Sequence, residues 1–235
     1  MQKEPDRRAA DDIYDLCARA DHEELGLRDR HRVAKLRRIS EATCTLFAEH
    51  GYDGTTLREI ARRADVALGT VALYADDKRD LIVMLFNQLI PQHMDVAAAT
   101  FDADASLADN MVAYFSPFYV AYANDITLYR IILGQIFNRT TSVHARENAR
   151  IRVRIIGHLT AIVDHARSRG EISDRVDPDL QARLFFATYF GAVRLWLALE
   201  SPTPAGGIAD LRAMFDLLVA GLAAAPVPHR QPADA

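Results

Sequence analysis

The sequence predicts an all-α fold of about nine helices. Three observations carry that reading. Glycine (11) and proline (9) are sparse among 235 residues while alanine is abundant, which favours helix over sheet. Apolar residues recur at i, i+3, i+4 and i+7 in segment after segment. No stretch alternates apolar and polar residues as a half-buried strand would.

Residues 1–27 carry Lys3, Arg7, Arg8 and Arg19 against Glu4, Asp6, Asp11, Asp12, Asp15, Asp21, Glu23 and Glu24. Such an acidic, weakly apolar stretch reads as a flexible extension with one short helix around Ile13 to Ala20. The sign then reverses, with Arg28, Arg30, Arg32, Lys35, Arg37 and Arg38 facing only Asp29 over 28–38. Ile39, Ala42, Thr43, Leu46 and Phe47 form one face of the first full helix, and Gly51 stops it. Thr56-Leu57-Arg58-Glu59 has the capping-box form and opens a second helix with Ile60, Ala61 and Ala64 inward. After Asp65-Val66-Ala67 a short third helix spans about Leu68 to Tyr74. Asp76 or Asp77 caps a fourth, which Pro91 should kink or end.

Ser106 and Asp125 cap helices to about Ala123 and Phe137. A long helix covers about 142–169, with Ile151, Ile155, His158, Leu159, Ile162 and Ala166 on one face. Asp177-Pro178 starts a helix to about Glu200. Residues 201–207, rich in Pro and Gly, read as a breaker loop before a last helix over about 208–224. The tail over 225–235 reads as disordered.

Composition excludes several function classes. A 50% hydrophobic content supplies a core. A net charge of -4 excludes a basic coat, so nucleic-acid contact needs a local patch. Only Cys17 and Cys44 occur, which argues against a disulfide scaffold and for a reducing cytoplasm; Cys44 reads as a small core residue. Residues 1–10 lack the apolar stretch of a signal peptide, and no run approaches the roughly 20 apolar residues that span a bilayer. There is no His-Glu-x-x-His, Gly-x-Ser-x-Gly, phosphate-binding glycine loop or Cys-x-x-Cys, so enzymatic and cofactor-dependent readings lack residues. His158 and His165, seven apart on one helix face, are two-thirds of a metal site at most and read as a buried or surface pair.

Residues 28–80 have the spacing of a three-helix helix-turn-helix module, and the turn needs a residue that tolerates positive φ, which Asp65 does less readily than glycine. At this level the residues resemble the TetR family of bacterial one-component regulators. Its opening pattern Ile-x-x-Ala-Ala-x-x-x-Phe-x-x-x-Gly-[Tyr/Phe] is met by Ile39, Ala42, Thr43, Phe47, Gly51 and Tyr52. The middle pattern Thr-[Thr/Val]-x-x-Ile-Ala-x-x-Ala-Gly-Val-Ser is met by Thr55, Thr56, Ile60, Ala61, Ala64, Asp65, Val66 and Ala67. The closing Gly-Thr-x-Tyr-x-Tyr-Phe-x-x-Lys-x-x-Leu is met by Gly69, Thr70, Ala72, Tyr74, Ala75, Lys78 and Leu81. Ala67 stands where relatives place a capping Ser, Ala72 where they place a phosphate-bonding Tyr, and Ala75 where they bury a Phe. Asp76 and Asp77 add negative charge near the expected phosphates.

The resemblance implies a DNA-binding domain over 28–80 and a ligand-binding and dimerisation domain over 81–224. It implies that Leu68, Thr70 and Val71 lie at base edges or thymine methyls, with Gly69 among the DNA-binding residues, that Arg58 reaches a base or phosphate, and that Thr56, Tyr74 and Lys78 meet phosphates. Tyr74 could instead pack between helices, and Lys78 could pair with first-turn carboxylates; Arg62 and Arg63 read as solvated charges. Separately from the resemblance, Arg30, Arg32, Lys35 and Arg37 suit the DNA backbone.

The aromatics at 114–137 and 185–196 read as ordinary core or as the walls of a cavity. The resemblance places a small-molecule pocket in the C-terminal bundle, with Phe86, His93, Tyr114, Phe118, Tyr122, Tyr129 and His158 as expected lining. Many rings and few carboxylates on these faces favour an apolar or aromatic ligand. The last two helices, through Ala187, Phe190, Gly191, Phe215, Leu218 and Leu222, either form a homodimer face or close the monomer's own core. The function implied is a repressor released from a palindromic operator by ligand. The alternative is a ligand- or protein-binding helical dimer of the same fold that has lost DNA recognition, which Ala67, Ala72, Asp76 and Asp77 motivate.

Overall fold

A computed structural model describes residue 14, residues 26–136 and residues 141–223. Among the described residues the protein has nine α-helices and no strand. They are α1 Leu27–His50, α2 Leu57–Arg63, α3 Leu68–Tyr74, α4 Lys78–Ala98, α5 Leu107–Ala123, α6 Ile126–Gln135, α7 Val143–Ser168, α8 Pro178–Ala198 and α9 Pro204–Ala223. None of these helices is long and apolar enough to cross a membrane. The expected extension over 1–27 lies outside the described residues apart from Tyr14, Gly26 and Leu27, and so do Cys17, Phe137 and the expected tail over 225–235.

The chain divides into two compact units, Met1–Asp95 with Ala121–Val153, and Val96–Val120 with Arg154–Ala235. The cut points fall inside α4, α5 and α7, each of which contributes residues to both units.

The first unit is organised around α1. Its stripe of Leu36, Ile39, Ala42, Leu46 and Phe47 is buried, and Gly51 ends it at φ 71°, where its N–H donates to the Phe47 carbonyl at 3.0 Å. The capping box at Thr56 forms as predicted. The Glu59 N–H donates to Thr56 Oγ1 at 3.3 Å, and the Thr56 N–H donates to Glu59 Oε2 at 2.8 Å. The Thr56 hydroxyl, which donates to Glu59 Oε2 at 2.8 Å, and the Thr56 N–H together hold the Glu59 carboxyl below its ordinary range. Asp65 closes the turn at φ 51°, alone among described non-glycine residues in positive φ. Val71 and Ala75 of the following segment enter the same core as Leu36, Ile39, Ile60 and Ala61.

Asp77, not Asp76, caps α4: its Oδ1 accepts the Asp80 N–H at 2.8 Å. Asp80 Oδ2 accepts the Asp76 N–H at 3.1 Å. Pro91 does not end this helix, which continues to Ala98; α5 likewise runs through Pro117. A proline deletes one N–H from the ladder, and a helix braced by buried Leu85, Ile90 and Met94 tolerates that loss.

The second unit has an aromatic core. Phe115 stacks on Tyr189 at 3.9 Å and 14°, Phe185 meets Phe215 edge-on at 5.1 Å, and Tyr119 meets Trp196 at 4.9 Å. The last helix starts at Pro204, four residues before the expected 208. Thr203 caps it through Oγ1, which accepts the Gly206 N–H at 3.2 Å, and the Thr203 carbonyl also takes the Trp196 indole N–H at 2.8 Å. Glycine at 207 admits close approach, since a Cβ there would lie 2.5 Å from the Tyr119 ring.

Replacing Asp65 tests the turn. Asp65→Gly should raise the unfolding free energy, because the left-handed cost of about 1–2 kcal/mol disappears while the exposed Arg38 pair contributes little. Asp65→Val should lower it. Urea unfolding reads both, and a destabilised Asp65→Gly would contradict the account.

Candidate functional site

A seven-residue helix has too few internal hydrogen bonds to stand alone. What α3 presents outward is therefore decided by how its neighbours hold it. Val71 is fully buried beneath it, so this residue supports the helix and does not meet bases, correcting the sequence expectation. Leu68, Gly69, Ala72 and Leu73 face outward, with Leu68 42% and Leu73 61% exposed, and Thr70 is half-buried beside them. Nothing lies within 4 Å of a Cβ placed on Gly69. Protein packing therefore does not require the glycine, although it costs about 1 kcal/mol in a helix. The Ala67 side chain makes no capping bond, as its chemistry dictates.

Beside this face lies a cleft of about 380 Å³ lined by Arg28, His31, Arg32, Lys35, Thr70, Leu73 and Tyr74. The basic half of α1 thus meets α3. Arg32 reaches Asp29 at 3.6 Å, and Arg30 and Lys35 are exposed. The cleft unites the expected Arg32 and Lys35 with the expected Thr70 and Tyr74; Arg30, Arg37, Leu68 and Gly69 are not among its lining residues. It also brings in Arg28, His31 and Leu73, which the sequence reading left unassigned. Only the docking of α3 on α1 reveals their proximity; no local motif encodes it.

Two expected phosphate contacts are occupied within the protein. Lys78 Nζ donates to the Tyr52 and Thr55 carbonyls, the latter at 2.8 Å, and sits 4.2 Å over the Tyr52 ring. It ties the α1–α2 turn to the start of α4. Tyr74 donates its hydroxyl to the Arg32 carbonyl at 3.0 Å, which fastens α3 to α1. Thr56 serves as the α2 cap, and Arg58 is exposed next to it. Arg63 is exposed, as expected, and makes a two-pronged surface pair with Glu49 at 3.1 and 3.0 Å.

The expected ligand-lining residues fall in both units. In the first, Phe86 is buried, His93 is half-buried with its imidazole pKa lowered by burial, and the Tyr122 and Tyr129 rings lie 4.3 Å apart. Burial pushes the Tyr129 phenol up to about 12. In the second, Tyr114 and Phe118 are buried against Phe115, and Tyr114 Oη lies 3.1 Å from His158 Nδ1. His165 Nε2 instead donates to the Ala103 carbonyl at 2.9 Å, so the two histidines serve separate partners. The Tyr119 hydroxyl is buried and has no hydrogen-bond partner among the described residues.

On the last two helices Phe215 is fully buried among Phe115 and Phe185, so it closes this chain's own core and is withdrawn from the dimer face. Ala187 and Gly191 are exposed, and Phe190, Leu218 and Leu222 are half-buried. Leu184 (42% exposed), Leu195 (67%) and Leu217 (75%) form exposed apolar positions that the sequence reading did not single out.

Residues 39–85 match the family model described as bacterial regulatory proteins, tetR family. The chain is 24% identical over 194 residues to the fatty acid metabolism regulator protein of Bacillus subtilis (strain 168), spanning 82% of this chain and 98% of that one. Its fold is similar to a Bacillus subtilis transcriptional regulator, FadR, solved with stearoyl-CoA: TM-score 0.62, 22% identity, 79% of this chain and 98% of that one. It is also similar to Thermus thermophilus FadR, described as a TetR family transcriptional repressor and solved with lauroyl-CoA: TM-score 0.63, 21% identity, 84% of this chain and all of that one.

The inward use of Lys78 gives a test. Lys78→Met should lower unfolding free energy by about 2 kcal/mol, since charge-assisted bonds to two carbonyls are lost. The salt slope of DNA binding should stay the same, whereas Lys35→Gln should reduce it by about one. A Lys78→Met variant of unaltered stability with a reduced slope would overturn this assignment.

Proposed function

We propose that the chain is a repressor of the TetR family of bacterial transcriptional regulators, released from operator DNA by an acyl-coenzyme A ester. The observation that carries this reading is the exposed Leu68-Gly69-Thr70 face of α3 beside the basic cleft of α1. In this reading α3 enters the major groove. Thr70, Leu68 and Arg58 contribute sequence preference, and Gly69 leaves room for close approach to DNA. Arg28, Arg30, Arg32 and Lys35 neutralise phosphates and supply affinity at every sequence.

The effector class is supported by two relatives solved with stearoyl-CoA and lauroyl-CoA. It is also supported by the ring-rich interior around Tyr114, Phe118 and Tyr189, whose apolar character suits an acyl chain. Two copies join through α8 and α9, with Leu184, Gly191, Leu195 and Leu217 at the contact. That sets two reading heads about one DNA turn apart, roughly 34–36 Å. Effector stabilises a state in which the heads are mis-spaced, and DNA affinity falls by that difference in stability.

Selection from random duplexes at about 100 mM salt tests the DNA reading, followed by anisotropy titrations with and without stearoyl-CoA. We expect enrichment of a palindrome, binding that weakens steeply with salt, and at least tenfold weaker binding with effector. Arg58→Ala and Thr70→Ala should change the enriched sequence. If no sequence is enriched, the chain is a helical binding dimer without DNA recognition. If a palindrome is enriched but stearoyl-CoA has no effect, the effector class is wrong.

The assembly is tested separately by light scattering. Leu195→Glu combined with Leu217→Glu should give a monomer whose helical content is unchanged. A persistent dimer would place the interface elsewhere.

A further inference from the structure

The last carbonyl of α3 is the acceptor in a buried polar chain that the DNA-binding reading does not use. His144 Nε2 lies 2.6 Å from the Tyr74 carbonyl oxygen. A carbonyl only accepts, so Nε2 carries the proton. With the ring neutral, Nδ1 is the acceptor, and the Tyr14 hydroxyl donates to it at 2.6 Å. Tyr14 Oη accepts in turn from Asn87 Nδ2 at 3.0 Å. The same amide donates to the His144 carbonyl at 2.8 Å, and Asn87 Oδ1 accepts from Asn148 Nδ2 at 3.2 Å. His144, Asn87 and Asn148 are 1%, 2% and 9% exposed. Each donor meets an acceptor, and the chain of bonds fixes one tautomer of the imidazole.

The placement gives the network its meaning. Tyr74 ends α3, His144 sits in the first turn of α7, Asn87 lies on α4, and all belong to the first unit. Helix C-termini leave carbonyls without partners, and a two-turn helix has few bonds to spare. Tyr74 is therefore held twice, by its hydroxyl on the Arg32 carbonyl and by its carbonyl on His144. The second hold belongs to α7, a helix that also supplies His158 beside Tyr114 in the other unit.

The geometry points to His144 as a positioning residue for the reading helix, through which α7 sets whether α3 is held for DNA. This rests on the proposed repressor function. When α7 shifts, the Nε2–Tyr74 bond lengthens or breaks, and α3 loses the partner that ends it. A buried bond of this kind is either made or left unmade at a cost, which suits a two-state element.

The test compares His144→Gln with His144→Asn, using hydrogen exchange of the α3 amides in the full-length protein as first readout. Glutamine places an N–H donor near the Nε2 position and reaches Tyr74, whereas asparagine is too short. We expect His144→Asn to speed exchange across residues 70–75 at least tenfold while α8 and α9 stay protected, and His144→Gln to restore wild-type exchange. In the second readout, Kd for the selected duplex, His144→Asn should weaken binding about tenfold and shrink the response to stearoyl-CoA. His144→Gln should keep both. Equal behaviour of the two variants, or wild-type exchange in His144→Asn, overturns the proposal. Wild-type protein that binds no duplex overturns the repressor reading instead, and the exchange result still decides the role of His144.

Discussion

The structure depends on one constraint: a helix of seven residues must be held from outside. Val71 anchors α3 from beneath by burial, the Tyr74 hydroxyl ties it to α1, and the Tyr74 carbonyl ties it to α7. Asp65 supplies the reversal that aims it. With those anchors set, the outward residues follow by helical geometry: Leu68, Gly69, Ala72 and Leu73 are exposed because Val71 and Ala75 are buried.

The holding residues also set the electrostatics. Docking α3 on α1 places an apolar and hydroxyl-bearing face next to Arg28, His31, Arg32 and Lys35. A chain with net charge -4 thereby concentrates positive charge where a polyanion would meet the reading face. Three charged side chains elsewhere on the head have partners within the protein. Arg63 pairs with Glu49, Lys78 closes the α1–α2 turn, and Asp77 caps α4.

Local signals were legible in the sequence. The Thr56–Glu59 box, the Asp65 turn, the Leu68–Tyr74 span and the Asp125 and Asp177 caps each depend on a few neighbouring residues. Signals that depend on docking were not. Whether Val71 or Leu73 faces inward on a two-turn helix is decided by α1 and α2. Whether Lys78 meets phosphate or backbone is decided by the carbonyls of Tyr52 and Thr55. Phe215 matched the stripe of a dimer face, yet Phe115 and Phe185 claim it. The Pro- and Gly-rich loop hid the start of α9, because Thr203 caps a helix that Gly207 needs in order to pass Tyr119. His144 carried no motif, since its partners come from positions 14, 74 and 87.

A crystal structure of the protein with its selected duplex measures the central claim most directly. It should place α3 in the major groove with Gly69 against the DNA, and a phosphate oxygen within about 3 Å of a cation in the α1 cleft. A complex in which that cleft faces solvent and another surface meets the duplex would contradict the account.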